Sequence, residues 1–115
     1  MDVFDLEANR PVVYLARGLQ GLDALDTSEL HVIQERMPPA TSELLHVHRR
    51  VRQLYFVLEG EAAIDLDDRS ELLHAADALV VEPLTPHRMS DGSQQPLEFL
   101  VISSNPPRQD REDLE

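Results

Sequence analysis

The sequence predicts an all-β domain, an antiparallel sandwich, barrel or jelly roll, and three observations carry that prediction. Roughly eight or nine short β-prone runs are separated by turn signals at intervals of about 8 to 12 residues. No stretch carries the periodicity of a long amphipathic helix. At 115 residues the chain has the length of one ordinary domain, enough for a single hydrophobic core and too little for a second.

The elements follow in order. Residues 11 to 15 (PVVYL) are a short β-prone run. Residues 16 to 28, with two glycines among polar residues, read as an irregular connection with room for a helical turn on Leu19, Leu22 and Leu25. Residues 29 to 37 (ELHVIQERM) suit a strand, which Pro38-Pro39 ends because proline cannot donate to a ladder. Residues 43 to 48 (ELLHVH) form the next strand, and 49 to 52 a charged connection. QLYFVLEG is an apolar strand closed by a turn at Gly60, EAAIDL follows, and Asp67-Asp68-Arg69 reads as a hairpin turn. SELLH, a turn at 75 to 77, ALVVE, the segment from Pro83 to Pro86, HRMS, a turn at Asp91-Gly92-Ser93 and the strand PLEFLVISS complete the pattern. Pro106-Pro107 closes the domain. The expected organisation is therefore residues 1–28 as an N-terminal strand and connection, 29–105 as the barrel core, and 106–115 as a charged, solvated tail.

Composition narrows the function. The formal net charge is −12 and every basic residue is arginine. Such a surface repels phosphate backbones and anionic lipid headgroups, so neither nucleic acid nor membrane is expected as a partner. The chain has no cysteine, which excludes disulfides, thiolate ligands and a cysteine nucleophile and suits a reducing cytoplasm. The N-terminal MDVFDLEANR has no apolar run of the signal-peptide kind, and no segment approaches the roughly 20 apolar residues of a membrane helix. A cytoplasmic protein is expected. No Gly-x-Ser-x-Gly frame and no glycine-rich phosphate loop is present.

The chemistry is concentrated in His46-Val47-His48. Residues two apart on a strand face the same side, so both imidazoles can aim at one point inside a barrel. Imidazole nitrogens are favoured ligands of divalent first-row metals. A third ligand must come from elsewhere. His87 follows Pro83-Leu84-Thr85-Pro86, whose prolines stiffen its approach. Gln53 shares a face with Tyr55 and Val57; if that face is interior, its carbonyl oxygen is a fourth, neutral ligand or else a hydrogen-bond partner of a ligand. Tyr55 and Met89 lie on the faces of the expected ligands and are candidates for the pocket wall. Leu54, Phe56 and Leu58 then form an outward apolar row.

These segments resemble the two motifs of the cupin family. The first family motif is a His-x-His pair, a Glu five residues later, and an apolar strand ending in a Gly turn; HVHRRVRQLYFVLEG is similar throughout, with Gln53 in place of the Glu. The second is Gly-Asp, a strand, a Pro-x-Gly turn and a His, and it resembles ADALVVEPLTPH, with Ala76 and Leu84 at the glycine positions. The resemblance covers roughly residues 30 to 104. It implies a double-stranded β-helix, or jelly-roll barrel, in a single domain. It further implies one divalent transition metal (Fe, Mn, Ni, Zn or Cu) on His46, His48, His87 and Gln53, and a homodimer formed through an outer sheet face. A neutral Gln53 leaves more positive charge on the metal than a Glu would.

The function expected is a small metalloenzyme acting on a small organic molecule, of dioxygenase or isomerase type. The alternative is a non-catalytic module binding a small ligand such as a sugar or an anion, with the metal structural or absent. The sequence singles out no catalytic acid or base. Arg49, Arg50, Arg52 and Arg88 are either a steering patch for an anion or solvated turns, and His31 and His74 read as surface or packing residues.

Overall fold

The computed structural model describes residues 12–14, 19–104 and 110–115. Expectations for residues 1–11 and 15–18 and for the Pro106-Pro107 turn lie outside these. Every strand pairing is antiparallel. A six-stranded sheet holds β1 (Val12–Tyr14), β2 (Gln20–Asp26), β3 (Leu30–Met37), β11 (Leu97–Ser104), β6 (Gln53–Glu59) and β9 (Ala78–Val81), in that order. A four-stranded sheet holds β4 (Thr41–Ser42), β10 (Arg88–Asp91), β7 (Glu61–Asp65) and β8 (Ser70–His74), and a two-stranded ribbon pairs β12 (Arg111–Asp113) with β5 (His46–His48).

Strand alternation builds the core. In β11, Leu97, Phe99, Val101 and Ser103 are buried while Glu98, Leu100 and Ile102 stay half-buried on the other face. In β6, Gln53, Tyr55 and Val57 are buried and Leu54 and Phe56 face outward. Met37 from β3, Ala62 and Ile64 from β7, Leu73 from β8, Val81 from β9 and Met89 from β10 complete one cluster between the sheets.

Two segments depart from expectation. Residues 20–26 are no irregular connection but a strand, β2, running the length of β3. The cause is the turn that joins them: the Thr27 hydroxyl oxygen accepts from the Leu30 and Glu29 amides at 3.0 and 3.3 Å and closes a tight hairpin. A register shift between Asp23 and Leu25 absorbs the less regular sequence. The charged tail, second, returns to the barrel: Arg111, Glu112 and Asp113 pair with His48, Val47 and His46. Their side chains are exposed, as expected of a solvated end, but their backbone completes the edge of the histidine strand.

Turn geometry follows the motif positions. Gly60 has φ +95°, and a Cβ there would lie 2.6 Å from the Pro96 carbonyl oxygen, so only glycine fits. Ala76 and Leu84, at the two glycine positions of the second motif, adopt the left-handed conformation (φ 72° and 67°), at some cost in backbone strain for non-glycine residues.

Candidate metal centre

The three motif histidines meet inside the barrel. His46 and His48 point inward from β5 and are 1% and 5% exposed; His87 arrives from the Pro83–Pro86 connection and is 1% exposed. His46 and His87 are locked together by reciprocal backbone bonds of 3.0 and 2.9 Å, and the Leu84 amide donates to the His48 carbonyl at 2.7 Å. Their ring centroids lie 4.2 Å (His46–His87), 5.4 Å (His46–His48) and 6.0 Å (His48–His87) apart. One nitrogen of each ring falls within 4.8 Å of the others, so this buried trihistidine cluster is able to chelate a divalent metal.

Hydrogen bonds fix which nitrogens are free. Nδ1 of His46 donates to the Leu44 carbonyl and Nδ1 of His87 to the Thr85 carbonyl, both at 2.8 Å. Their Nε2 atoms therefore carry the lone pairs, as metal ligands require. Burial is the main force lowering the pKa of each ring, to about 3 for His46 and about 4 for His48, with His87 also lowered; the neighbouring imidazoles push those of His46 and His48 further down. The rings are neutral across the physiological range.

Gln53 is 5% exposed and donates its amide N–H to Ser103 Oγ at 3.1 Å. Its Oε1 then lies 3.1 Å from His87 Nε2, to which the Tyr55 hydroxyl donates at 3.2 Å. With Nδ1 of His87 carrying the proton, Oε1 and Nε2 are two acceptors facing one another. Nδ1 of His48 is buried without a hydrogen-bond partner, 3.7 Å from Asp110 Oδ2. Tyr55 satisfies the His87 lone pair here; the Gln53 oxygen facing that nitrogen with no proton between them is the contact a cation would satisfy.

A cavity of about 160 Å³ opens at this cluster, lined by His46, His48, Gln53 and Tyr55 together with Ile33, Glu35, Glu43, Val101, Ser103 and Arg111. Met89 is not among them. Its side chain belongs to the core, and its role at the site is its backbone amide, which donates to Glu43 Oε1 at 3.0 Å. The arginines of the 49–52 connection are exposed and paired, Arg49 with Glu112 and Arg52 with Glu82, which supports the solvated-turn reading. His74 is 63% exposed, and His31 lies 3.1 Å from Asp23.

Four residues at the site carry no motif signal. Glu35 and Glu43 are each 6% exposed. Arg111 and Asp110 come from the returning tail. Asp110 is 5% exposed and accepts from the Arg50 and Val51 amides at 3.1 to 3.2 Å, pinning the connection that follows the His pair.

Fold and site define a small jelly-roll protein with a buried histidine cluster capable of holding a metal. The cupin domain model matches residues 33–103, and the chain belongs to the cupin family. Over 70 residues, 61% of this chain, it is 31% identical to an uncharacterized protein of Methanocaldococcus jannaschii; the match spans 56% of that protein's length. The polyketide cyclase RemF of Streptomyces resistomycificus is similar in structure, with a TM-score of 0.86, 18% identity, and 100% of this chain and 86% of that chain covered. A cupin sugar phosphate isomerase from Silicibacter pomeroyi gives a TM-score of 0.79 at 21% identity, with 92% and 77% covered. At these identities the structures establish the shared fold.

Proposed function

We propose that this protein is a metal-dependent enzyme of isomerase type acting on a small organic molecule, with one divalent transition metal held by His46, His48 and His87 and by the Gln53 carbonyl oxygen. The observation that carries the reading is the set of neutral, carbonyl-oriented imidazoles facing Gln53 Oε1 across a gap that no proton fills. A metal there would polarise a substrate oxygen. The chain's own groups do the rest: the Thr85 carbonyl and Ser103 hold the His87 and Gln53 side chains in place, and Ile33 and Val101 keep the wall apolar. The cavity is smaller than the roughly 300–1,000 Å³ that accommodates drug-sized ligands, which supports a small substrate. Isomerisation is the chemistry of one protein with this fold, the sugar phosphate isomerase.

Elemental analysis of protein purified without an affinity tag tests this directly. About one metal per chain is expected. Absence of metal after reconstitution would move the assignment to a ligand-binding module, for which a thermal-shift screen of sugars and small anions is the next measurement.

The outer face of the six-stranded sheet supports a homodimer. Leu54, Phe56, Val80, Leu100 and Ile102 lie side by side there, Leu54 opposite both Ile102 and Val80, and Val80 is 48% exposed. Light scattering at micromolar concentration is expected to give twice the 13.0 kDa chain mass; a single-chain mass would remove the dimer.

A further inference from the structure

The metal ligands leave unexplained two buried acids in the same cavity. Glu35 projects from β3, opposite Phe99 of β11, and Glu43 follows β4. Glu43 is anchored, its backbone amide donating to the Met89 carbonyl at 2.9 Å and its Oε1 accepting from the Met89 amide. Glu35 differs: its Oε2 is buried with no hydrogen-bond partner. An unpartnered buried carboxyl oxygen is costly to keep and is not needed for packing, since an apolar side chain would fill the space without that cost.

We propose that Glu35, backed by Glu43, is the proton-transfer group of this cavity, and that the substrate is a small α-hydroxycarbonyl compound. The inference rests on the metal-enzyme reading above and adds to it the acid/base pair and the substrate class.

The two carboxyls repel one another, so they cannot both ionise readily at this separation from water. Burial raises Glu43 to about 7 and Glu35 well above the ordinary carboxylate range; for Glu35, repulsion from Glu43 adds to burial. Other groups facing the pair are Arg111 from β12, which favours ionisation of both, Asp113, which opposes it at Glu43, and Tyr55, whose hydroxyl is itself held protonated by burial. Near neutrality Glu35 therefore keeps its proton while Glu43 begins to ionise, the state in which one member is an acid and the other a base.

The step balances without an oxidant. Glu43, which ionises near 7, is the carboxylate that takes the proton from the hydroxyl-bearing carbon. The C–H electron pair becomes a C=C bond, and the carbonyl π pair passes to its oxygen, which receives the proton held by Glu35. In the second half, the other hydroxyl returns its proton to Glu35 and becomes the new carbonyl, while Glu43 returns a proton to the former carbonyl carbon. The product is an isomer of the substrate. Arg111, at the exposed edge of the cavity, supplies a positive charge for an anionic substituent.

The test uses the metal-loaded protein in deuterated water with dihydroxyacetone and glyceraldehyde as probes, followed by proton NMR. Deuterium is expected at the carbon next to the carbonyl. Glu35→Gln is expected to slow it about 100-fold or more, the usual contribution of a positioned acid, at unchanged metal content. Infrared difference spectra, a readout independent of turnover, are expected to contain a protonated-carboxyl band at pH 6 that Glu35→Gln removes or displaces. Glu35→Asp, which keeps the acid but withdraws it by one methylene, covers a folding failure of the first variant: slowed exchange with the band retained is expected. Parent-rate exchange in either variant, no exchange of either probe by metal-loaded parent, or no protonated carboxyl in the parent would overturn the proposal. Failure to bind metal would overturn the metal-enzyme reading instead, and elemental analysis of the same sample separates the two.

Discussion

Saturating the protein with a divalent transition metal is expected to raise its unfolding free energy by about 4 kcal/mol when free metal stands at about 1,000 times Kd. For a domain of this size that is a rise in Tm of roughly 15 °C. The His46→Ala/His48→Ala variant is expected to gain nothing. The argument is one of linkage: metal binds the folded chain because only folding brings β5 and the Pro83–Pro86 connection together. In the unfolded chain His87 is 39 residues beyond His48 and contributes little. In the folded chain the Leu44 and Thr85 carbonyls already hold two of the rings in the ligating tautomer. His46 and His48 have no proton to give up above about pH 4, and burial lowers the pKa of His87 as well, so binding pays little deprotonation cost near neutrality. A thermal melt with and without added metal, repeated on the variant, measures the effect. Equal stabilisation of both proteins would place the metal elsewhere, for instance at Asp23, Asp26 and His31, a second cluster with suitably close ligand atoms.

The histidine cluster was legible because it is written in local rules. A period of two puts His46 and His48 on one face whatever the rest of the fold does, and the outward row Leu54 and Phe56 declares Gln53 and Tyr55 inward by the same rule. The acids were not legible. In ELHVIQERM, Glu35 reads as one of several polar residues, and its burial is decided by β2 and β11 on either side, at Gly21 and Phe99. β2 itself was hidden because its glycine and two aspartates have low strand propensity; the ladder to β3 overrides that preference. Arg111 and Asp110 were hidden for another reason. The tail joins β5 by backbone pairing, which leaves the side chains of Arg111, Glu112 and Asp113 exposed and the sequence without an apolar pattern, and Asp110 is buried with no periodicity to mark it.

Stability of the metal-free protein is expected to peak near pH 6.5 and to fall on both sides. The buried histidines and the buried acids pull in opposite directions. In the unfolded chain the imidazoles take up protons near 6.5, but in the folded chain His46 waits until about 3 and His48 until about 4, with His87 lowered as well. Between those values the unfolded state binds more protons, so each ring makes stability rise with pH, by up to about 1.4 kcal/mol per unit. The acids do the reverse. Unfolded, Glu35 and Glu43 ionise near 4.5; folded, Glu43 keeps its proton to about 7 and Glu35 beyond the usual range. From 4.5 upward the folded state binds more protons, and stability falls as pH rises. Below 4.5 only the rings act, and stability drops steeply with acid. From 4.5 to 6.5 the His46 and His48 rings offset the two acids, and the lowered pKa of His87 tips the slope upward towards 6.5, so the rise is shallow. Above 6.5 only the acids remain, and the slope turns negative. Urea unfolding from pH 4 to 8 with a chelator present measures the curve. The Glu35→Gln/Glu43→Gln variant is expected to lose the alkaline decline and keep the acid one. A parent whose stability stays level or climbs from pH 6.5 to 8 would mean that the two carboxyls are already ionised in the folded chain, and would remove the buried proton on which the acid/base pair depends.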